Sequence, residues 1–200
     1  SIIQKELAQL ISWYVCEGST FKNACQFSVG NSLEADEIQS IATSLGYKVS
    51  ISDVETGKCV IINDVALADF LKSQCGTEAK DKRLPITILS GHEDIVFETL
   101  IKGDGCHNIH KGYEKYCYTT ISHTLAYQVQ ILANSIGYTA GISSKDPWIS
   151  EINGRKIFCK KCYTVNIGTV KLRVNNKPLI RAKYGVAANI RELESYQYSG

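Results

Sequence analysis

Methionine is missing altogether from these 200 residues. A chain without Met is not initiated as it stands, so an excised or trimmed product is expected. No apolar run approaches the roughly 20 residues that a bilayer-spanning helix needs. No charged-then-apolar leader opens the chain, and an intracellular protein, cytoplasmic or nuclear and not secreted, is expected. The eight cysteines show no regular spacing, and the single Cys-x-x-Cys, Cys159 to Cys162, has no second pair at zinc-ribbon distance. Reduced thiols are therefore expected in place of a disulfide framework or a structural zinc. The stretch HNIH, His107 to His110, has the residues of a histidine nuclease motif without its context.

What is present describes a globular chain. Hydrophobic residues make up 44% and charged residues 21%, enough apolar material for a core. The net charge of +2 hides an asymmetry. Residues 1–100 carry 8 Lys/Arg against 14 Asp/Glu, and residues 101–200 carry 14 against 6. The basic residues gather at Arg155, Lys156, Lys160 and Lys161, then at Lys171, Arg173, Lys177, Arg181 and Lys183. Such a stripe suits a polyanion as well as it suits a solvated surface.

The chain also repeats itself, which decides its organisation. IQSIATSLGY (residues 38–47) and VQILANSIGY (residues 129–138) are identical at five of ten positions. Both space their apolar residues as a helix does, and both reach a glycine where a left-handed cap belongs. Upstream of each lies an apolar helix ending on an acid, LISWYVCEG with Glu17 and FETLIKGDG with Asp104. Between and after these segments the chain reads as paired strands, with turns near Lys111-Gly112, Glu55-Thr56-Gly57 and Asn153-Gly154. The expected fold is α+β, two αββαββ(α) halves about a pseudo-twofold axis. The halves span 1–81 and 82–170, and a basic extension follows over 171–200.

Small residues stand four apart in each acid-ended helix, Ser12 and Cys16, then Thr99 and Gly103. That spacing puts them on one face and lets two helix backbones approach closely. Packed about the axis, the helices would bring Glu17 and Asp104 out side by side. Each acid would then oppose its own helix macrodipole, at a cost of roughly 0.3–1 kcal/mol, and would repel the other. A divalent cation reverses that sign, because two carboxylates, water and phosphate oxygens make a magnesium site. Either helix alone reads as a core helix whose acid marks the solvent boundary. Two copies in matching places of a repeat point to shared chemistry.

These residues resemble the LAGLIDADG (dodecapeptide) homing endonucleases of the single-chain, two-motif type. Leu10 to Gly18 and Phe97 to Gly105 occupy the nine-residue pattern, the first copy degenerate, and Lys82-Arg83-Leu84-Pro85 is similar to the basic-x-Pro lead-in before the second motif. The likeness covers roughly residues 5 to 168. Within the family the intein-borne enzymes are closest, since the tail Asn189 to Gly200 resembles the lead into a C-terminal splicing block. The chain neither opens with a Cys/Ser-led splicing block nor ends in His-Asn, so splicing by this chain is not expected.

The resemblance implies a monomer with saddle-shaped antiparallel sheets over double-stranded DNA, on a long asymmetric site. It implies metal-dependent (Mg2+ or Mn2+) cleavage across the minor groove, leaving 3′ overhangs. Glu17 and Asp104 would hold the metal, with Lys58 and Lys161 as basic residues near them. Lys22, Gln26 and Ser28 from the first half, and His110, Lys111, Lys115, Tyr118 and Thr120 from the second, would face the DNA. Arg155, Lys156 and Lys160 would grip phosphates. The rival readings are a non-cutting DNA-binding domain of the same fold, an RNA maturase, and an unrelated zinc-dependent interaction domain built on the cysteines.

Overall fold

Helix α1 (Lys5–Glu17) is apolar on nearly every side, and Ala8 and the run from Leu10 to Val15 are all buried. A helix of that composition has to lie inside the molecule. It does so in a computed structural model that describes residues 3–110, 113–152 and 154–168, with the backbone of short strands at 173–174, 177–178, 180–182 and 185–187. Lys111, Asn153, and the extension beyond 168 apart from those strand backbones lie outside the described residues, as do the side chains of His110 and Arg155.

From α1 the chain passes into β1 (Gly18–Phe21) and β2 (Ala24–Val29), then α2 (Ser32–Ser44), β3 (Val49–Val54), β4 (Gly57–Ile62) and α3 (Val65–Cys75). Asn31 and Asp64 cap α2 and α3, their side chains accepting from Glu34 N–H and Leu67 N–H. A short helix α4 (Ile86–Leu89) precedes α5 (Glu93–Asp104), β5 (Gly105–His110), β6 (Tyr113–Thr120) and α6 (His123–Ser135). The remaining strands are β7 (Thr139–Lys145), β8 (Trp148–Ile152), β9 (Arg155–Cys159) and β10 (Cys162–Gly168). Gly46 and Gly137, the matching glycines of the repeat, have φ +87° and +92° just past α2 and α6.

Two four-stranded antiparallel sheets result, ordered β1-β2-β4-β3 and β5-β6-β10-β7. The orders correspond strand for strand, so the repeat in sequence is a repeat in topology. The last segment differs from the expected single hairpin. Strands β7 and β10 pair from Thr139↔Gly168 to Lys145↔Cys162, and β8–β9 is a separate two-stranded arm inserted between them. The turn at Gly154 therefore belongs to the arm. A one-sequence reading merges the two hairpins because both are antiparallel and continuous in the chain.

One apolar core serves both halves, drawing Trp13 and Tyr14 from α1, Phe27 from β2, Leu100 from α5, Leu125 from α6 and Val165 from β10. At its centre α1 packs on α5. Ser12 and Thr99 lie within this packing and satisfy their hydroxyls inside their own helices, on Ala8 O at 2.8 Å and Ile95 O at 2.7 Å. Gly103 sets the separation: a Cβ there would meet Cys16 Cβ at 2.7 Å and its Sγ at 2.9 Å.

In an open helix Gly→Ala stabilises by about 0.5–1 kcal/mol. Here the added methyl has to push α5 off α1, which costs typically 1–3 kcal/mol. Gly103→Ala is expected to lower stability in urea unfolding, and Cys16→Gly in the same chain to recover part of the loss. Stabilisation by Gly103→Ala would mean that the helices are not in contact at this point.

Candidate functional site

The chain leaves α1 and α5 without a loop. Gly18 and Gly105 are extended, at φ −89° and −91°, and their N–H groups still bond back to Tyr14 O and Ile101 O. A Cβ on Gly18 would lie 2.5 Å from Tyr14 Cα, and one on Gly105 would lie 2.5 Å from Ile101 Cα. This close approach explains the acid-Gly ending of both motifs. Helix turns directly to strand, and the acid is the last residue before the turn.

The close packing of α1 and α5 then sets Glu17 and Asp104 in one cleft of ≈ 200 Å³, which Lys82, Thr120 and Leu125 also line. Burial pushes the Glu17 carboxyl up to about 7, with further contributions from Asp104 and Glu34, both acids. Asp104 is also raised, chiefly by burial, and is partly offset by a hydrogen bond from Tyr118 and by the charge of Lys82. Tyr118 Oη donates to Asp104 Oδ2 at 3.5 Å and lies 3.9 Å from Cys16 Sγ.

Lys82 contributes the positive charge. It is only 6% exposed. Its Nζ donates to Tyr14 O and Gly18 O, each at 2.8 Å, and stands 3.7 Å from the Tyr14 ring centre. Carbonyls at a helix C-terminus are where a cation is favoured. Burial nevertheless lowers its pKa to about 8, with Cys75, Cys16 and Asp104 acting in the other direction. Long-range bonds hold the linker that carries it. Ser122 Oγ donates to Lys82 O at 2.6 Å, and Gln128 both accepts from Leu84 N–H and donates to Leu84 O.

The other expected site residues fall elsewhere. Lys58 pairs with Asp53 across the β3–β4 hairpin, and Lys161 with Asp146 at the foot of the β8–β9 arm; neither lines the cleft. Lys82 lines the cleft beside the two acids, and its one sequence signal is the lead-in to Pro85. Tyr118 has 0% exposure and cannot face a ligand across the sheet, because β6 turns Tyr118 inward toward the helices and Thr119 outward. Thr120 shares the inward parity of Tyr118 and lines the cleft. Lys22, at φ +53° in the β1–β2 turn, and Ser28 are exposed, and Gln26 is half-buried beside Ile61. Lys115, Lys156 and Lys160 are exposed.

The outward faces of the sheets are polar. On the second sheet Thr119 and Thr164 hydroxyls meet at 3.1 Å, Asn166 Nδ2 donates to Ser143 Oγ at 3.3 Å, and Lys115 stands beside Asn108 in register. On the first sheet Gln26, Ser28, Ser50 and Ser52 alternate with core residues.

Two topologically matched halves, joined at a helix pair whose acid tips share a cleft, define the LAGLIDADG fold. Residues 94–182 match the family described as a LAGLIDADG-like domain. The crystal structure of I-DmoI in complex with DNA and Mn superposes with a TM-score of 0.54 at 13% identity, over 82% of this chain and 89% of that one. I-DmoI in complex with DNA and Ca gives 0.54 at 12%, over 84% of each. The ATP-dependent DNA helicase Hel308 of Thermococcus kodakarensis is 29% identical over 150 residues, 68% of this chain. The chain spans 13% of that relative's length.

The elevated Glu17 pKa has a consequence for stability. The folded state holds the Glu17 proton more tightly than the unfolded chain does, so this group's contribution is complete below its ordinary value of 4.5 and is lost as pH rises through about 7. Urea unfolding across pH 4–8 is expected to show stability falling over that window. Glu17→Gln is expected to flatten the fall and to be more stable than the parent at pH 8.

Proposed function

We propose that this protein is a site-specific double-strand DNA endonuclease, the homing endonuclease domain of an intein, working as a monomer in the cytoplasm or nucleus. The observation that carries the reading is the cleft itself: two carboxylates from equivalent helix tips, both driven toward neutrality, beside a buried ammonium. A fold selected for stability alone has no reason to keep both acids there. The match to 13% of a DNA helicase's length is what an element inserted in a helicase gene would give.

The donor set fits a hard divalent cation, Mg2+ or Mn2+. Glu17 and Asp104 offer carboxylate oxygens, and such ions complete their shell with water and phosphate oxygens without needing a full protein cage. When bound, the cation activates water and stabilises the charge on the leaving oxygen. Glu17 and Asp104 would hold and orient it, one beside each strand's scissile phosphate. Lys82 is fixed by two carbonyls, so its charge is preorganised where the phosphate gains negative charge. In hydrolysis water's oxygen bonds to phosphorus, the bond to the leaving oxygen breaks, and that oxygen takes up a proton. Cutting both strands across the minor groove would leave 3′ overhangs.

The halves 1–81 and 82–170 would each present one sheet to half of a long asymmetric site. Gln26, Ser28 and Lys115 suit base or backbone contact in the groove, with Lys22 at a hairpin tip. Lys156 and Lys160, both exposed, would carry the arm's charge to phosphates, and Arg155 is proposed to act with them. Lys58 and Lys161 would add positive charge near the reacting phosphates, as expected of basic residues beside the acids.

The test is cleavage of the uninterrupted host gene in Mg2+. Glu17→Gln and Asp104→Asn are each expected to reduce cutting by at least about 10²-fold while duplex binding persists. Normal cutting by both variants would remove the acids from the mechanism. Duplex affinity is expected to fall steeply with salt as phosphate contacts release counterions.

A further inference from the structure

Eight thiols are present, and all eight are free. Cys25 and Cys75 are buried in the core and Cys16 is half-buried between α1 and α5, and burial raises each thiol, Cys25 and Cys75 to about 12. Such sulfurs are poor nucleophiles. Cys59 faces Ser28 on one side and Ser52 on the other. Cys159 pairs with Trp148, and Cys162 with Lys145. Cys106 and Cys117 alone stand directly opposite each other, in neighbouring strands β5 and β6. Cys106 is exposed and Cys117 half-buried. Asn108 Nδ2 donates to Cys106 Sγ at 3.0 Å and holds that sulfur at the surface. The Cys117 thiol is raised, by burial first and then by the Cys106 thiol, which is close enough to hydrogen-bond with it.

We propose that Cys106 and Cys117 are an oxidative modification site that closes to a reversible cross-strand disulfide and weakens duplex binding. Directly opposed residues in an antiparallel pair have Cβ atoms about 4.5–5.5 Å apart, and a disulfide needs about 3.8 Å. Closure therefore requires a shift of roughly one ångström and no rearrangement of the fold. The same shift strains the bond and makes it easy to reduce, as regulatory disulfides are. The oxidant is a low-molecular-weight disulfide such as oxidised glutathione. The exposed Cys106 thiolate attacks one of its sulfurs, the glutathione S–S bond breaks, and one glutathione thiolate leaves. The Cys117 thiolate then attacks Cys106 Sγ in the mixed disulfide, and the second glutathione thiolate leaves. Both protons released by the protein pass through solvent to the two glutathione thiols, and two electrons move from protein to glutathione.

The consequence for DNA rests on the nuclease reading above. Cys106 and Cys117 lie on the outward face of the second sheet, beside Asn108 and Lys115, which are also paired in register. Drawing the strands together displaces both side chains from positions that a groove contact must hold.

The experiment treats the folded protein with excess oxidised glutathione and maps its peptides by mass spectrometry. One crosslink, Cys106 to Cys117, with the loss of two hydrogens, is expected. Cys117→Ser is expected to stop at a glutathione adduct on Cys106. A crosslink between Cys159 and Cys162 in its place, or stable glutathione on both Cys106 and Cys117, overturns the site. Duplex binding is then compared between reduced and crosslinked protein. Several-fold weakening that dithiothreitol reverses and that Cys117→Ser lacks is expected, and unchanged binding overturns the regulatory role. A reduced protein that binds no duplex defeats the nuclease reading instead and leaves the mapped crosslink standing.

Discussion

At Gly103 the backbone of α5 has no side chain to hold it away from Cys16, and the contact between α1 and α5 depends on that gap. The core forms around it, since α1 is buried on almost all sides and α5 supplies Val96, Phe97 and Leu100 to the same cluster. The site depends on it too. Both helices end within a residue of the contact, and both turn into a strand through a glycine that cannot carry a Cβ. Two acids are thereby delivered to one place, where burial raises both carboxyls and the Asp104 charge raises Glu17 further. Packing forces an electrostatic arrangement that the fold alone would avoid, and a bound cation would relieve it.

Lys82 shows how far the fold compensates without one. Its ammonium neutralises the carbonyl end of α1 and lowers the Asp104 carboxyl, yet its own burial weakens its hold on the proton. The cleft therefore holds three groups, each displaced from its ordinary titration range in the direction that reduces its charge. The nuclease reading proposed above rests on these opposed perturbations together with the geometry that brings the three groups into one cleft.

Much of this is legible in the sequence. Acid-Gly endings one repeat apart, with small residues four before and at the helix contact, announce the two helices and their meeting. The glycines after α2 and α6 announce the caps. The role of Lys82 is not legible, because Ser122 and Gln128, which hold its linker, come 40 and 44 residues later in the chain than their partners. Tyr118 misleads because tyrosine suits both a core and a wet surface, and a strand's parity is set by its neighbours. Its hydroxyl reaches Asp104 from the core side. The β8–β9 arm is hidden for another reason: β-hairpin signals say where strands turn and are silent on which strands share a sheet.

The halves are alike in topology and unlike in charge and in the inserted arm. The account stands on the electrostatic coupling between Glu17 and Asp104. The direct measurement is an NMR titration of the Glu17 side-chain carboxyl in the parent and in Asp104→Asn. Removing the Asp104 charge is expected to move the Glu17 midpoint down from about 7 toward the ordinary carboxylate range. An identical midpoint in the two proteins would show that the acids do not sense each other, and would contradict the shared site.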